Sequence, residues 1–288
     1  MTDWATFAVA TVALTLLLLS FTRRSQRTLE RIRIVDDASD LAGEPADASA
    51  DDDATAASDA APDAASDAAP DAAAPADTVS HDPDRRSEPT LTTTLLLANL
   101  TVSQGVALGA LVAVAWWTGV PASAFGLDVV PASFVLGWGV AAGVALYAGN
   151  EVAAALGTRV GATAPERLRE AMAPTDARGW AFLLVVVLPV IALFEEALFR
   201  GALIGAFAVG FEIDPWLLAV ASSIAFGLGH GAQGRLGIAV TGVLGFALAT
   251  LFVYTGSLLV VVVAHYVVNA LEFVVREGLE YEPAAALR

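Results

Sequence analysis

The chain has 288 residues, is 56% hydrophobic and carries a formal net charge of −16. Soluble domains sit nearer ~45–50% apolar, and several windows here exceed the ~18 apolar residues that read as a membrane-crossing helix. There is no cysteine, which excludes disulfides, thiolate nucleophiles and cysteine-ligated zinc; there is no lysine either, so all fifteen basic residues are arginine.

The sequence therefore predicts an all-α fold, a polytopic transmembrane helical bundle of about 7–8 membrane helices with a disordered acidic linker. The first apolar run spans residues 4–21. It is followed by "TRRSQRTLERIR", with five arginines and one glutamate. A signal peptide carries its positive charge before the apolar run and a cleavage site after it. Here the charge follows, so residues 1–33 read as a retained anchor with its basic segment in the cytoplasm.

Residues 34–90 form the linker. Positions 36–90 hold fourteen Asp and two Glu against two Arg, which is most of the net charge. The stretch is Ala, Asp, Pro and Ser with almost no large apolar side chain. It cannot bury enough surface to offset its ordering entropy. Its near-repeats, such as "SDAAPDAA", are compositional and not a solenoid. A solvating tether is the plain reading, and an acidic partner-binding tail the sharper one.

Residues 91–278 form the second membrane block, and 279–288 a short tail. Helices are predicted at 92–118, 131–156, 179–210, 215–231, 235–254 and 256–276. The window 179–210 is long for one span and reads as one tilted helix or two pieces. Arg159, Arg167, Arg169, Arg178, Arg235, Arg276 and Arg288 all fall on the side of Arg23 to Arg33 if each window crosses once. By the positive-inside pattern the chain is a multi-pass cell-membrane protein with linker and C-terminus cytoplasmic. Spaced glycines (Gly105/Gly109, Gly139/Gly143, Gly201/Gly205, Gly227/Gly231) would let helix backbones approach closely. The expected partner is membrane lipid, not nucleic acid.

Polar groups inside the apolar block are few. Glu195, Glu196 and Arg200 lie in "FEEALFRG"; His230 ends the fifth window; His265 and Asn269 lie in the last, with Glu272 a turn further on. An ionisable group in a membrane helix costs at least ~2.5–3.5 kcal/mol on insertion scales, so it faces a partner or a water-filled cavity. Glu196 and Arg200 are four residues apart on one face and can form an ion pair. Glu195 lies about 100° around the helix from Glu196 and need not share that arginine. His265 and Asn269 repeat the four-residue spacing, as do Phe226 and His230. A free carboxylate, two imidazoles and an amide on three helices make an inventory for activating water and holding an oxyanion. Taken singly, each has a plainer reading: a structural ion pair, interhelical hydrogen bonding, an interfacial histidine, or a proton-relay carboxylate.

Together the residues resemble a known family. Glu195-Glu196-Ala197-Leu198-Phe199-Arg200 looks like the EExxxR motif of the CPBP family, the CAAX-protease and bacteriocin-processing intramembrane proteases. Phe226-Gly227-Leu228-Gly229-His230 resembles its FxxxH motif, and His265-Tyr266-Val267-Val268-Asn269 its HxxxN motif. The three occur in order on separate helices, and the resemblance covers roughly residues 92–276. It implies a glutamate-dependent intramembrane endopeptidase related to the type II CAAX prenyl endopeptidases. By that resemblance Glu195 is the general base, working with His230 on the attacking water. His265 and Asn269 stabilise the oxyanion, Glu196 and Arg200 shape the site, and Phe226 packs beside it.

No cofactor is fixed by the sequence. Glu195, His230 and His265 would also supply three ligands to a zinc ion with an open fourth position. The reading leans to no essential metal and keeps Zn2+ as the alternative. Prenylated CAAX protein is one substrate class that the resemblance implies; an unprenylated membrane-anchored peptide is another. Two other functions stay open. A proton-coupled transporter would use the same ionisable groups but would show inverted repeats. A non-catalytic membrane scaffold or immunity protein would use them as interhelical ties.

Overall fold

The computed structural model describes residues 1–21, 23, 93–159, 167–281 and 283. The linker expected over 34–90 and most of the 279–288 tail lie outside the described residues. Every regular element among the described residues is helical. Eight helices are numbered here: α1 Trp4–Phe21, α2 Thr93–Thr118, α3 Ala132–Arg159, α4 Arg167–Met172, α5 Ala177–Phe211, α6 Pro215–Gly229, α7 Gly234–Thr255 and α8 Leu258–Gly278. Six of them (α1, α2, α3, α5, α7 and α8) are long and apolar enough to cross a membrane.

Two helices depart from a simple span. The window at 179–210 is one continuous helix of 35 residues, not two pieces. At 1.5 Å per residue it is about 52 Å long, well beyond a ~30 Å hydrocarbon core. It is not α-helical throughout. A π-helical stretch at Leu183–Val187 ends just before Leu188 and Pro189, and a second spans Ala197–Ala206. Proline has no N–H and its ring crowds the carbonyl four residues back, so a widened turn before it keeps the helix continuous. By contrast α6 has only 15 residues, about 22 Å. The window predicted at 215–231 ends at Gly229, and His230 follows as the C-cap residue. Its other end is fixed by Asp214, whose carboxylate accepts from the N–H groups of Trp216 and Leu217 at 2.8 and 3.3 Å.

α1 packs into the same compact unit as the later helices. Its first residues tie to the far end of α2: the Asp3 N–H donates to the Thr118 carbonyl at 2.8 Å, and the Thr2 hydroxyl to that of Gly119 at 3.1 Å. The Asp3 carboxylate accepts from the Thr6 hydroxyl at 2.6 Å and the Thr6 N–H at 3.0 Å. These bonds hold its carboxyl below the ordinary carboxylate range. Deeper in, Phe7 is fully buried and sets its ring edge-on to Phe125 and Phe207, at 5.8 and 6.3 Å between centroids.

The two ends of the bundle differ chemically. At one end Arg276 makes three bonds of 2.9–3.1 Å to the Glu151 carboxylate. Arg169 pairs with Glu272 at 3.2 Å and Glu277 at 2.7 Å, and the Asn150 amide donates to Glu272 at 3.2 Å. This lattice joins α3, α4 and α8. Trp4, Trp116, Trp117, Trp138 and Trp216 belong to the opposite half, where aromatic rings suit a membrane–water boundary. Trp216 there stacks edge-on with Tyr254 at 5.5 Å.

Some glycine spacings serve close approach and some do not. α3 meets α8 where Gly139 and Gly143 face Val263 and Val267, and α6 meets α7 where Gly227 faces the Ile238 carbonyl and Gly242. Gly105 and Gly109 face open space. A Cβ on Gly227 would lie 2.7 Å from the Ile238 oxygen, and a backbone atom cannot swing aside. Gly227→Ala should therefore destabilise the protein by about 1–3 kcal/mol. Gly105→Ala should be neutral or slightly stabilising, through helix propensity. Thermal unfolding of the two variants in detergent tests the contrast.

Candidate active site

The site is built on α5 and completed by α6, α7 and α8. Glu196 is fully buried, and Arg200 is 1% exposed. Their expected ion pair is present, with Arg200 Nη1 2.7 Å from Glu196 Oε1. The guanidinium makes two further contacts. Its Nη2 donates to the Gly245 carbonyl of α7 at 2.9 Å, and its Cζ lies 4.5 Å over the Phe226 ring of α6. A side chain at Gly245 would meet the Phe226 ring at 2.9 Å. Arg200 and Phe226 thus fit together only because that position is bare.

The same Glu196 oxygen also accepts from His265 Nδ1 of α8 at 2.6 Å. So Glu196 is more than half of an ion pair. It is the carboxylate that orients His265. No spacing in the sequence pairs these two residues, which lie 69 positions apart. Asn269, one turn beyond His265, is partly buried.

His230 is oriented differently. Its Nδ1 lies 2.9 Å from the Phe226 carbonyl, four residues back. The last carbonyls of a helix have no intrahelical donor, and a histidine just past the end can supply one. The spacing of Phe226 and His230 therefore has a local cause. A carbonyl only accepts, so this bond fixes Nδ1–H on the neutral ring and leaves the Nε2 lone pair free. The carboxylate of Glu196 does the same for the neutral form of His265.

Both Nε2 atoms converge on Glu195. His265 Nε2 is 3.7 Å from Oε2, and His230 Nε2 is 3.9 Å from Oε1. Those separations are too long for direct hydrogen bonds and suit a shared water. Glu195 is therefore flanked by an imidazole at each oxygen and lies outside the Glu196–Arg200 pair. Access differs around the cluster. The His230 side chain is 26% exposed, that of Glu195 12% and that of His265 4%, so the site opens on the His230 side. Phe226 forms its floor, with ring centroids 4.7 Å from His230, 6.1 Å from His265 and 5.0 Å from Phe199. The Ser222 hydroxyl ties α6 to α5 by donating to the Phe199 carbonyl at 2.7 Å. Neither Ser222 nor Gly245 carried a signal in the sequence; each is found only once the helices are laid side by side.

Zinc fits this arrangement poorly. Among the described residues no group of three or more His, Cys, Asp or Glu side chains is spaced to hold a metal ion. Glu195, His230 and His265 come nearest, with the two histidine Nε2 atoms 3.7 and 3.9 Å from the carboxylate oxygens.

Removing one partner of a buried pair strands the other charge. Arg200→Met should cost about 3–5 kcal/mol and lower the unfolding temperature sharply. Glu195→Gln should change stability by less than about 1 kcal/mol, since Glu195 makes no short polar contact. Unfolding of the two variants in the same detergent checks this difference.

No curated protein and no solved structure matches the chain. Residues 177–271, the stretch that carries Glu195, Glu196, Arg200, Phe226, His230, His265 and Asn269, match the family model described as type II CAAX prenyl endopeptidase Rce1-like.

Proposed function

We propose that the protein is an intramembrane endopeptidase that cleaves a peptide bond of a membrane-anchored protein or peptide with a glutamate-activated water. The family match supports a CAAX-type intramembrane protease in general. One observation carries the finer reading. Glu195 stands apart from the Glu196–Arg200 pair and receives the Nε2 faces of two histidines.

In this reading Glu195 is the general base. A water between Glu195 and His230 gives one proton to the carboxylate while His230 Nε2 accepts its other O–H. The water oxygen then attacks the scissile carbonyl carbon, and its π electrons move onto oxygen. His265 serves as the imidazolium, with Nδ1–H on Glu196 and Nε2–H directed at the oxyanion. Asn269 supplies a second donor from its amide. With His265 charged, Glu195, Glu196, Arg200 and His265 sum to zero, which suits a site within a bilayer. Collapse of the intermediate breaks the C–N bond, and Glu195 returns its proton to the leaving amine. No step is routed through a metal.

The site lies on the end of α6 nearer the arginine-rich half of the bundle. By the positive-inside pattern the scissile bond belongs near the cytoplasmic leaflet. Prenylated CAAX-type proteins are one substrate class within this reading, and unprenylated membrane peptides another. The scaffold and transporter readings share the ionisable groups but give no reason for two imidazoles to aim at one unpaired carboxylate.

The test is cleavage of a panel of lipidated and unlipidated fluorogenic membrane peptides by the purified protein. Glu195→Gln and His230→Ala should each lower the rate by about 10²–10⁴-fold with folding intact, and a zinc chelator should leave the wild-type rate unchanged. Full activity in both variants would overturn the proposal. Loss of activity with chelator, restored by Zn2+, would return the metal to the mechanism.

A further inference from the structure

Gln104 is a polar residue midway along α2 that neither the ion pairs nor the imidazoles use. It belongs to the stripe of α2 that faces the bundle. Leu97, Leu100, Gln104, Ala107 and Leu111 recur at intervals of three and four residues, and Leu97, Ala107 and Leu111 are buried. Towards the start of α2, Leu97 and Leu100 pack in one cluster with Leu188 and Ile191 of α5. Towards its end, Ala107 and Leu111 share a cluster with Phe194 and Leu198. The two helices run in the same direction, so Gln104 is level with the turn of α5 between Ile191 and Leu198. Glu195 lies in that turn, four residues beyond Ile191 and on its face.

Like Thr11, Tyr147, Glu196, Arg200 and Ser257, Gln104 carries a buried side-chain polar atom with no hydrogen-bond partner among the described residues. Gln104 Oε1 is shut off from solvent and has no hydrogen-bond partner, although the residue as a whole is only partly buried. A buried acceptor without a donor is costly and calls for a physical reason. An apolar side chain would serve helix packing better at this position. A polypeptide entering the site brings the missing donor. An extended segment that leaves water carries unpaired N–H groups, and those on alternate residues point the same way.

We propose that Gln104 is a specificity-determining residue that binds the substrate backbone beside the scissile bond, its Oε1 accepting one peptide N–H. This rests on the protease reading above. It extends the site to α2, outside the stretch that matches the family. It also assigns the site a ligand feature: an extended segment with a free N–H at one fixed distance from the cut.

The experiment uses the full chain in lipid nanodiscs, a cleaved fluorogenic peptide, and analogues each N-methylated at a single amide near the cut. Gln104→Leu should raise KM about tenfold, the worth of one hydrogen bond, with kcat little changed and thermal stability equal or higher. One N-methylated analogue should suffer the same loss on the wild type and no further loss on Gln104→Leu, closing the cycle. Unchanged kinetics in Gln104→Leu overturn the proposal. So does a loss in which every N-methyl penalty persists, because that marks a packing role. Peptide binding in a Glu195→Gln background, read by fluorescence anisotropy, separates the two readings. If Glu195→Gln still cleaves fully, the catalytic assignment falls. The N-methyl cycle on binding then decides Gln104 by itself.

Discussion

The fully buried carboxylate of Glu196 is the constraint on which the rest depends. An anion in a membrane-embedded helix must be matched within hydrogen-bond reach, and here one oxygen takes both Arg200 and His265. Each partner recruits another helix. His265 brings α8. Arg200 brings α7 through the Gly245 carbonyl, and α6 through the face of Phe226. Four helices are thus fixed around one charge, and the low dielectric that makes the charge costly also makes each of these contacts strong.

That arrangement separates two neighbouring glutamates into different environments. A step of about 100° along the helix leaves Glu195 outside the arginine's reach. It faces two rings whose other nitrogens are already committed, one to a carboxylate and one to a helix-end carbonyl. Neither ring is free to turn its donor side to Glu195 while neutral. The π-helical turns from Ala197 onward follow directly after the two glutamates. Such turns are frequent at functional sites, and here they place Arg200 and the bare Gly201 and Gly205 against the rest of the bundle.

Much of this was readable from the chain. The apolar runs gave the helices to within a few residues, since hydrocarbon thickness sets their length. The four-residue spacings gave Glu196 with Arg200, and Phe226 with His230, because both are contacts within a turn. What escaped were contacts between helices. The bond from Glu196 to His265 joins positions 69 apart, and that from Arg200 to Gly245 positions 45 apart. No periodicity encodes either. His265 and Asn269 share a face as expected, yet His265 is held by Glu196. The shortness of α6 was also hidden, because "GLGHGAQG" remains apolar enough to extend the window past the real end of the helix. Gln104 carries no signal among its small and apolar neighbours, because the sequence does not say which helix α2 packs against.

The docking of α1 has a consequence for the order of assembly. Phe7 rests on Phe125 and Phe207, and Asp3 on the end of α2. The helix earliest in the chain therefore finds its seat only after a residue 200 positions later has emerged. At ~5–20 residues per second that is about 10–40 s spent alone in lipid. α1 is equipped for the interval. The Thr15 hydroxyl bonds back to the Thr11 carbonyl at 2.8 Å, that of Ser20 to the Leu16 carbonyl at 2.7 Å, and Thr6 to Asp3. Three of its four hydroxyls are satisfied close along the chain and only that of Thr11 is left without a partner, so it can persist as a lone span until the bundle forms around it.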